Sequence, residues 1–140
     1  KPVAEKLKEM KIDLLVGPAM GGILVAYELG RQLGIEAIFT ERVDNIMALR
    51  RGFEVSEGMN IVICEDVVTT GKSSMEVKAL LESMGAKVIA IASIIDRTNE
   101  ELELPLISSL RVEIDTFDAD DCPLCKQGTP VVKPGSRKMD

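Results

Sequence analysis

A chain of 140 residues is long enough to bury one core and short for two. Its 46% hydrophobic and 29% charged residues exclude a disordered class, and no apolar run reaches the length of a membrane span. A net charge of −6, from 17 basic and 23 acidic residues, argues against a nucleic-acid partner, and the absence of histidine removes Ser-His catalysis, histidine metal sites and imidazole acid–base chemistry together.

Val3, Leu7 and Met10 recur at helical spacing among Lys and Glu, so the chain is expected to open on a helix. The chain starts at Lys1 rather than Met, and a segment ahead of it is expected. IDLLVG (12–17) reads as a buried strand. The apolar run from Ile23 to Leu33 reads as a helix that Gly34 ends as a C-cap. EAIFTE (36–41) is a second strand. Residues 42–52 are charged and read as an irregular, mobile loop, with ALRRGFEV partly pairing as a hairpin arm and SEGMN (56–60) as a turn.

NIVICE (60–65) is a short apolar strand, followed by the loop DVVTTGK. Ser73-x-x-Glu76 has capping-box spacing and predicts a helix start there. Val77, Leu80, Leu81 and Met84 fall on one face of that helix, and Gly85 ends it. KVIAIASIID (87–96) reads as a long buried strand and LRVEIDTF (110–117) as another; the tail is read as extended or loop. Strands alternating with helices predict an α/β fold, a parallel sheet flanked by helices on both faces, with ligands beyond the carboxyl ends of the strands.

Three motifs sit at those ends. Gly71-Lys72-Ser73 ends like a Walker phosphate loop, but the first Walker glycine would fall at Asp66, with Glu65 beside it. Two carboxylates there repel a triphosphate. They suit vicinal hydroxyls, which donate hydrogen bonds, or a Mg²⁺ ion. A helix N-terminus with Gly71 and the hydroxyls of Thr69, Thr70 and Ser73 suits a phosphate. The order therefore fits a ribose bearing a 5-phosphate; the bland alternative is a capped acidic turn with no ligand.

Gly17-Pro18-Ala19-Met20-Gly21-Gly22 is not a dinucleotide fingerprint. It is equally an anion-binding loop or an ordinary tight turn. Arg97, after Ser93-Ile94-Ile95-Asp96, has the fork to hold a carboxylate, or else forms a surface pair with Asp96 or Glu100. Cys122-Pro-Leu-Cys125 raises zinc or redox chemistry. With Cys64 the only other cysteine and no histidine, a complete zinc site within the chain is not expected, and a turn with two reduced thiols is. Three cysteines fit a reducing cytoplasm.

The string Glu65-Asp66-Val67-Val68-Thr69-Thr70-Gly71-Lys72-Ser73 resembles the phosphoribosyl pyrophosphate (PRPP) signature of type I phosphoribosyltransferases, and EDVVTTG is similar to bacterial orotate phosphoribosyltransferases. CPLCKQGTPVVKPGSR resembles the tail of their short-loop subset. The resemblance covers residues 1–140 as one core domain of the type I phosphoribosyltransferase fold, with an N-terminal hood segment of the family absent. It implies transfer of phosphoribose from PRPP to orotate with Mg²⁺, in a cytoplasmic homodimer with no membrane partner. It places Glu65 and Asp66 on the ribose hydroxyls, Mg²⁺ through PRPP and these two carboxylates, and residues 65–73 on PRPP. Ala19, Met20, Gly21 and Arg42 fall on pyrophosphate, and Thr69 and Arg97 on orotate. Relatives often have Gly at the place of Lys72 and Tyr-Lys at Met20-Gly21, so binding there is expected to run through backbone. Arg42 sits in a loop without the lysines of long-loop members, and Arg50 and Arg51 are expected to be a solvated charge pair. A purine or xanthine phosphoribosyltransferase, which shares residues 65–73 but needs neither Arg97 nor the C-P-L-C, and a PRPP-binding regulator without turnover are the alternatives.

Overall fold

Apolar strands set the architecture. The computed structural model describes residues 2–118 and 120–130. Six strands, β1 (Leu14–Pro18), β2 (Ala37–Val43), β3 (Ile46–Leu49), β4 (Asn60–Val68), β5 (Lys87–Asp96) and β6 (Leu106–Arg111), form one sheet in the order β3-β2-β1-β4-β5-β6. All neighbours run parallel except β2 and β3, which form an antiparallel hairpin.

Alternation along the central strands splits the core into two layers. On one face, Leu14, Val16, Ile61 and Ile63 pack with Val77 and Leu81 of helix α3 (Lys72–Ser83). On the other, Leu15, Val62 and Cys64 pack with Val25, Ala26 and Leu29 of helix α2 (Gly21–Leu33) and with Val3 and Leu7 of helix α1 (Pro2–Leu7). A register shift between Ile61 and Val62 against β5 puts Val88 and Ile91 in the first layer and Ala90 in the second. Leu81 is fully buried, and its truncation to Ala costs roughly 2–5 kcal/mol.

The elements follow the expected order with five corrections. Residues 42–52 are not an irregular loop. Arg42 pairs with Met47 and Val43 with Ile46 around Asp44 and Asn45, whose φ of 50° and 65° are those of a two-residue hairpin turn. The strand expected at 110–117 is instead Leu106–Arg111, set by Ile91 pairing with Leu106 and Asp96 with Arg111. β4 continues to Val68, three residues beyond the expected 65, so Asp66 joins Glu65 on the strand rather than opening the loop. The capping box does not form. Gly71, at φ 70°, is the N-cap of α3, which puts Ser73 inside the helix. A one-turn helix α4 (Pro123–Lys126) occupies the C-P-L-C segment read as extended or loop, and the tail beyond residue 130 lies outside the described residues. Gly34 caps α2 as expected, its N–H donating to the Gly30 carbonyl at 2.8 Å.

The strand order reverses between β1 and β4. The chain leaves β1 through α2 on one face and β4 through α3 on the other, which opens a crevice at their shared carboxyl ends.

Candidate active site

Beyond β1 the chain runs flat against the end of β4. The Ala19 N–H donates to the Thr40 carbonyl at 2.7 Å, and the Ala19–Met20 peptide is cis. A Cβ on Gly22 would lie 2.4 Å from the Cys64 carbonyl oxygen, and one on Gly21 would lie 2.2 Å from Asp66 Oδ2. The first turn of α2 reaches the Asp66 carboxylate only because no side chain intervenes. Met20 lines the crevice and is 82% exposed, so its side chain is not packed into the core.

Glu65 and Asp66 are sequence neighbours on β4 and therefore point to opposite faces. Glu65 turns toward α3, where Ser74 Oγ donates to Oε1 at 3.4 Å. Burial first, and the Asp66 charge second, push its carboxyl up to about 7, against the lowering effect of the Ser74 bond. Asp66 is exposed on the α2 side, and its Oδ1 accepts the Val67 N–H at 2.8 Å.

The chain then turns through Thr69 and Thr70, both exposed, into α3. Gly71 supplies the left-handed corner. The Lys72 N–H reaches Thr70 Oγ1 at 3.4 Å, and the helical ladder begins with Met75 N–H to the Gly71 carbonyl at 2.9 Å. The amides of Ser73 and Ser74 therefore stand ahead of the ladder at the positive end of the helix dipole.

The β2–β3 hairpin forms the facing wall. Arg42 Nη1 donates to its own turn at the Asn45 carbonyl, 2.8 Å, and Nη2 pairs with Glu76 of α3. Residues 18–21 and 65–74, with Arg42, Asn45, Met47 and Glu76, line one cleft of about 1170 Å³.

The cleft brings together Ala19, Met20, Gly21, Arg42 and residues 65–73, all singled out from sequence. Arg97 stands apart. Its N–H bonds the Val68 carbonyl at 2.8 Å beside the end of β4, its side chain does not line the cleft, and its Nε is buried without a hydrogen bond among the described residues. Arg50 and Arg51 are solvated as expected, with side chains 58% and 60% exposed, but both also pair with Glu41, at 3.7 and 3.0 Å, and Arg51 lies over the Phe39 ring. Sequence reasoning missed Ser74, Asn45, Met47 and Glu76. A polar residue on the buried face of α3 was the available sign for Ser74. Glu76 fits the spacing of a cap, which hides its place on the cleft wall.

Cys122, the N-cap of α4, and Cys125 within it are free thiols, and Cys64 is buried, its thiol pushed up by desolvation. Among the described residues no group of three or more His, Cys, Asp or Glu side chains is arranged to hold a metal.

Residues 3–117 match the family described as the phosphoribosyl transferase domain. An orotate phosphoribosyltransferase of Caldanaerobacter subterraneus subsp. tengcongensis is 49% identical over 141 aligned residues, covering 99% of this chain and 74% of the relative. Among solved structures, a purine phosphoribosyltransferase from Pyrococcus horikoshii aligns with a TM-score of 0.65 at 25% identity, covering 83% of this chain and 88% of that one. An adenine phosphoribosyltransferase from Thermoanaerobacter pseudethanolicus aligns with a TM-score of 0.68 at 24% identity, covering 79% and 76%, a likeness of fold. With the signature string lining one cleft at the point where the strand order reverses, these matches show that the chain belongs to the phosphoribosyltransferase family.

Proposed function

We propose that the chain transfers the phosphoribosyl group of PRPP to orotate, releasing pyrophosphate and forming orotidine 5′-monophosphate in pyrimidine synthesis. The observation that carries this reading is the convergence of Glu65, Asp66 and residues 69–73 in one cleft, in a chain 49% identical to an orotate phosphoribosyltransferase.

The cleft supports a division of labour. The 5-phosphate sits in the turn over residues 69–73, held by backbone amides and hydroxyls. Glu65 and Asp66 accept hydrogen bonds from the ribose hydroxyls, one from each face of the sheet end. The amides of Met20 and Gly21, with Arg42, take the pyrophosphate, while Ala19, whose N–H is held by the Thr40 carbonyl, fixes the loop that presents them. Thr69 and Arg97 are assigned to orotate; Arg97, which follows β5 and lies outside the cleft lining, would have to turn its side chain toward the cleft to reach it. The bond from ribose C1 to the pyrophosphate oxygen breaks as the bond from an orotate ring nitrogen forms. The protein contributes positioning and charge stabilisation rather than proton transfer.

Two diverging carboxylates are too few for a protein cage and fit a Mg²⁺ held mainly by substrate phosphates and water. Glu65 and Asp66 are the residues that would face it. When bound, the ion offsets charge on the leaving pyrophosphate. We read residues 1–140 as one core domain of a cytoplasmic homodimer. Leu24 and Tyr27 of α2, 74% and 64% exposed, offer an apolar surface for the second copy, which sedimentation would reveal.

Pyrophosphate release from PRPP and Mg²⁺, followed across a panel of bases, tests the reading. Release with orotate alone is expected. Release with hypoxanthine or xanthine but not orotate would overturn it in favour of a purine enzyme. Binding of PRPP without release would favour a regulator.

A further inference from the structure

Arg42 already has two acceptors before any ligand arrives. One is the Asn45 carbonyl of its own hairpin turn, and the other is the carboxylate of Glu76 on α3. The Glu76 bond joins elements 34 residues apart across one end of the cleft, and all three residues line that cleft. Met47, which also lines the cleft, is buried beside Arg42 and fixes the arm from which it extends. The guanidinium is therefore parked on the wall, not reaching freely into the space.

We propose that Glu76 is a positioning residue that parks Arg42 in the resting cleft, and that an incoming pyrophosphoryl group takes the guanidinium from it by exchange of anions. The inference rests on the assignment of Arg42 to pyrophosphate.

Three features of the structure favour exchange over a permanent structural pair. Both side chains are about a third exposed, at 29% and 32%, so the pair has low intrinsic strength and can be broken at modest cost. The Asn45 bond uses a different guanidinium nitrogen, so Arg42 stays tethered to the hairpin while Nη2 changes partner. A phosphate oxygen can accept from Nη2 the same single charge-assisted bond that the Glu76 carboxylate accepts. Glu76 also neutralises the guanidinium at the cleft wall. The cost is that any pyrophosphoryl ligand must displace a carboxylate, which lowers its apparent affinity.

The probe is inorganic pyrophosphate with Mg²⁺, titrated calorimetrically into the wild type, Glu76→Gln, Arg42→Gln and the double variant. Glu76→Gln is expected to tighten pyrophosphate by about fivefold, in line with loss of one partly exposed ion pair. In the Arg42→Gln background the same substitution is expected to change the affinity less than twofold. If Glu76→Gln tightens pyrophosphate equally in both backgrounds, Glu76 is only a repulsive charge and the proposal falls. Unchanged affinity in Glu76→Gln, with a wild-type melting temperature, also overturns it. The orotate panel on the wild type judges the reaction separately, because pyrophosphate binding requires no base.

Discussion

The two walls of the cleft hold anions by different means. The turn from β4 into α3 offers amides and hydroxyls, fixed between a strand that ends at Val68 and a helix that starts at Lys72. The hairpin wall offers one guanidinium at the end of a flexible stem, held in place by Glu76. Backbone donors survive any substitution except proline, and their placement follows from the fold. The hairpin donor is a single side chain that can exchange partners. The first wall is therefore expected to set whether a phosphoribosyl ligand binds at all, and the second to adjust how tightly its leaving group is held.

The largest effect should come where the first wall depends on a charge. Asp66→Asn is expected to lower kcat/KM for PRPP by tens to about a hundredfold, since a hydrogen bond to a charged group contributes roughly 1.5–3 kcal/mol. An effect under threefold would remove Asp66 from the ribose site. Gly21→Ala comes next. The new Cβ would lie 2.2 Å from Asp66 Oδ2, so the carboxylate must move while the fold survives, and about a tenfold loss of turnover with little change in melting is expected. A variant as active as the wild type would show that Asp66 can swing without consequence.

Glu65 gives a pH signature. Its carboxyl, pushed up to about 7, is protonated below that pH and accepts ribose hydroxyls best above it, so kcat/KM for PRPP should rise with pH through about 7 and then level. Ser74→Ala removes the bond that opposes the shift and should move the midpoint up; a profile identical in Glu65→Gln would assign the limb to another group. Stability runs the opposite way. The folded value lies above the unfolded one of 4.5, so this group's contribution is fully present below about 4.5 and is lost as pH rises through about 7. On the second wall, Arg42→Gln should raise KM for PRPP about fivefold and leave the pH limb in place. Coincident loss of that limb would merge the two walls into one coupled unit.

The sequence carried most of the first wall and little of the second. Continuous apolar runs marked β1, β4 and β5, because strands covered on both faces have no alternation to disguise them. The string from Glu65 to Ser73 was legible because strand end, acidic pair, hydroxyls and glycine are contiguous. The hairpin was not: Asp44 and Asn45 lack the glycine that usually announces such a turn, and Arg42, Asp44 and Arg50 gave the segment the composition of a loop. β6 was misplaced because LRVEIDTF alternates well but ISSLR pairs better with β5. Glu76 fitted the capping-box spacing, yet Gly71 took the cap, and only the folded hairpin shows where that carboxylate goes. Local patterns do not encode which distant side chain a surface carboxylate will meet.

The reversal of strand order between β1 and β4 has a thermodynamic consequence. The helices that follow these strands, α2 and α3, lie on opposite faces, and the cleft is lined by the start of each. A ligand with a phosphate at one end and a pyrophosphate at the other would span both, acting as a removable crosslink between the two layers of the protein. Its binding energy would then add to the cohesion of the whole domain, at about 2.7 kcal/mol when the ligand stands at a hundred times its dissociation constant.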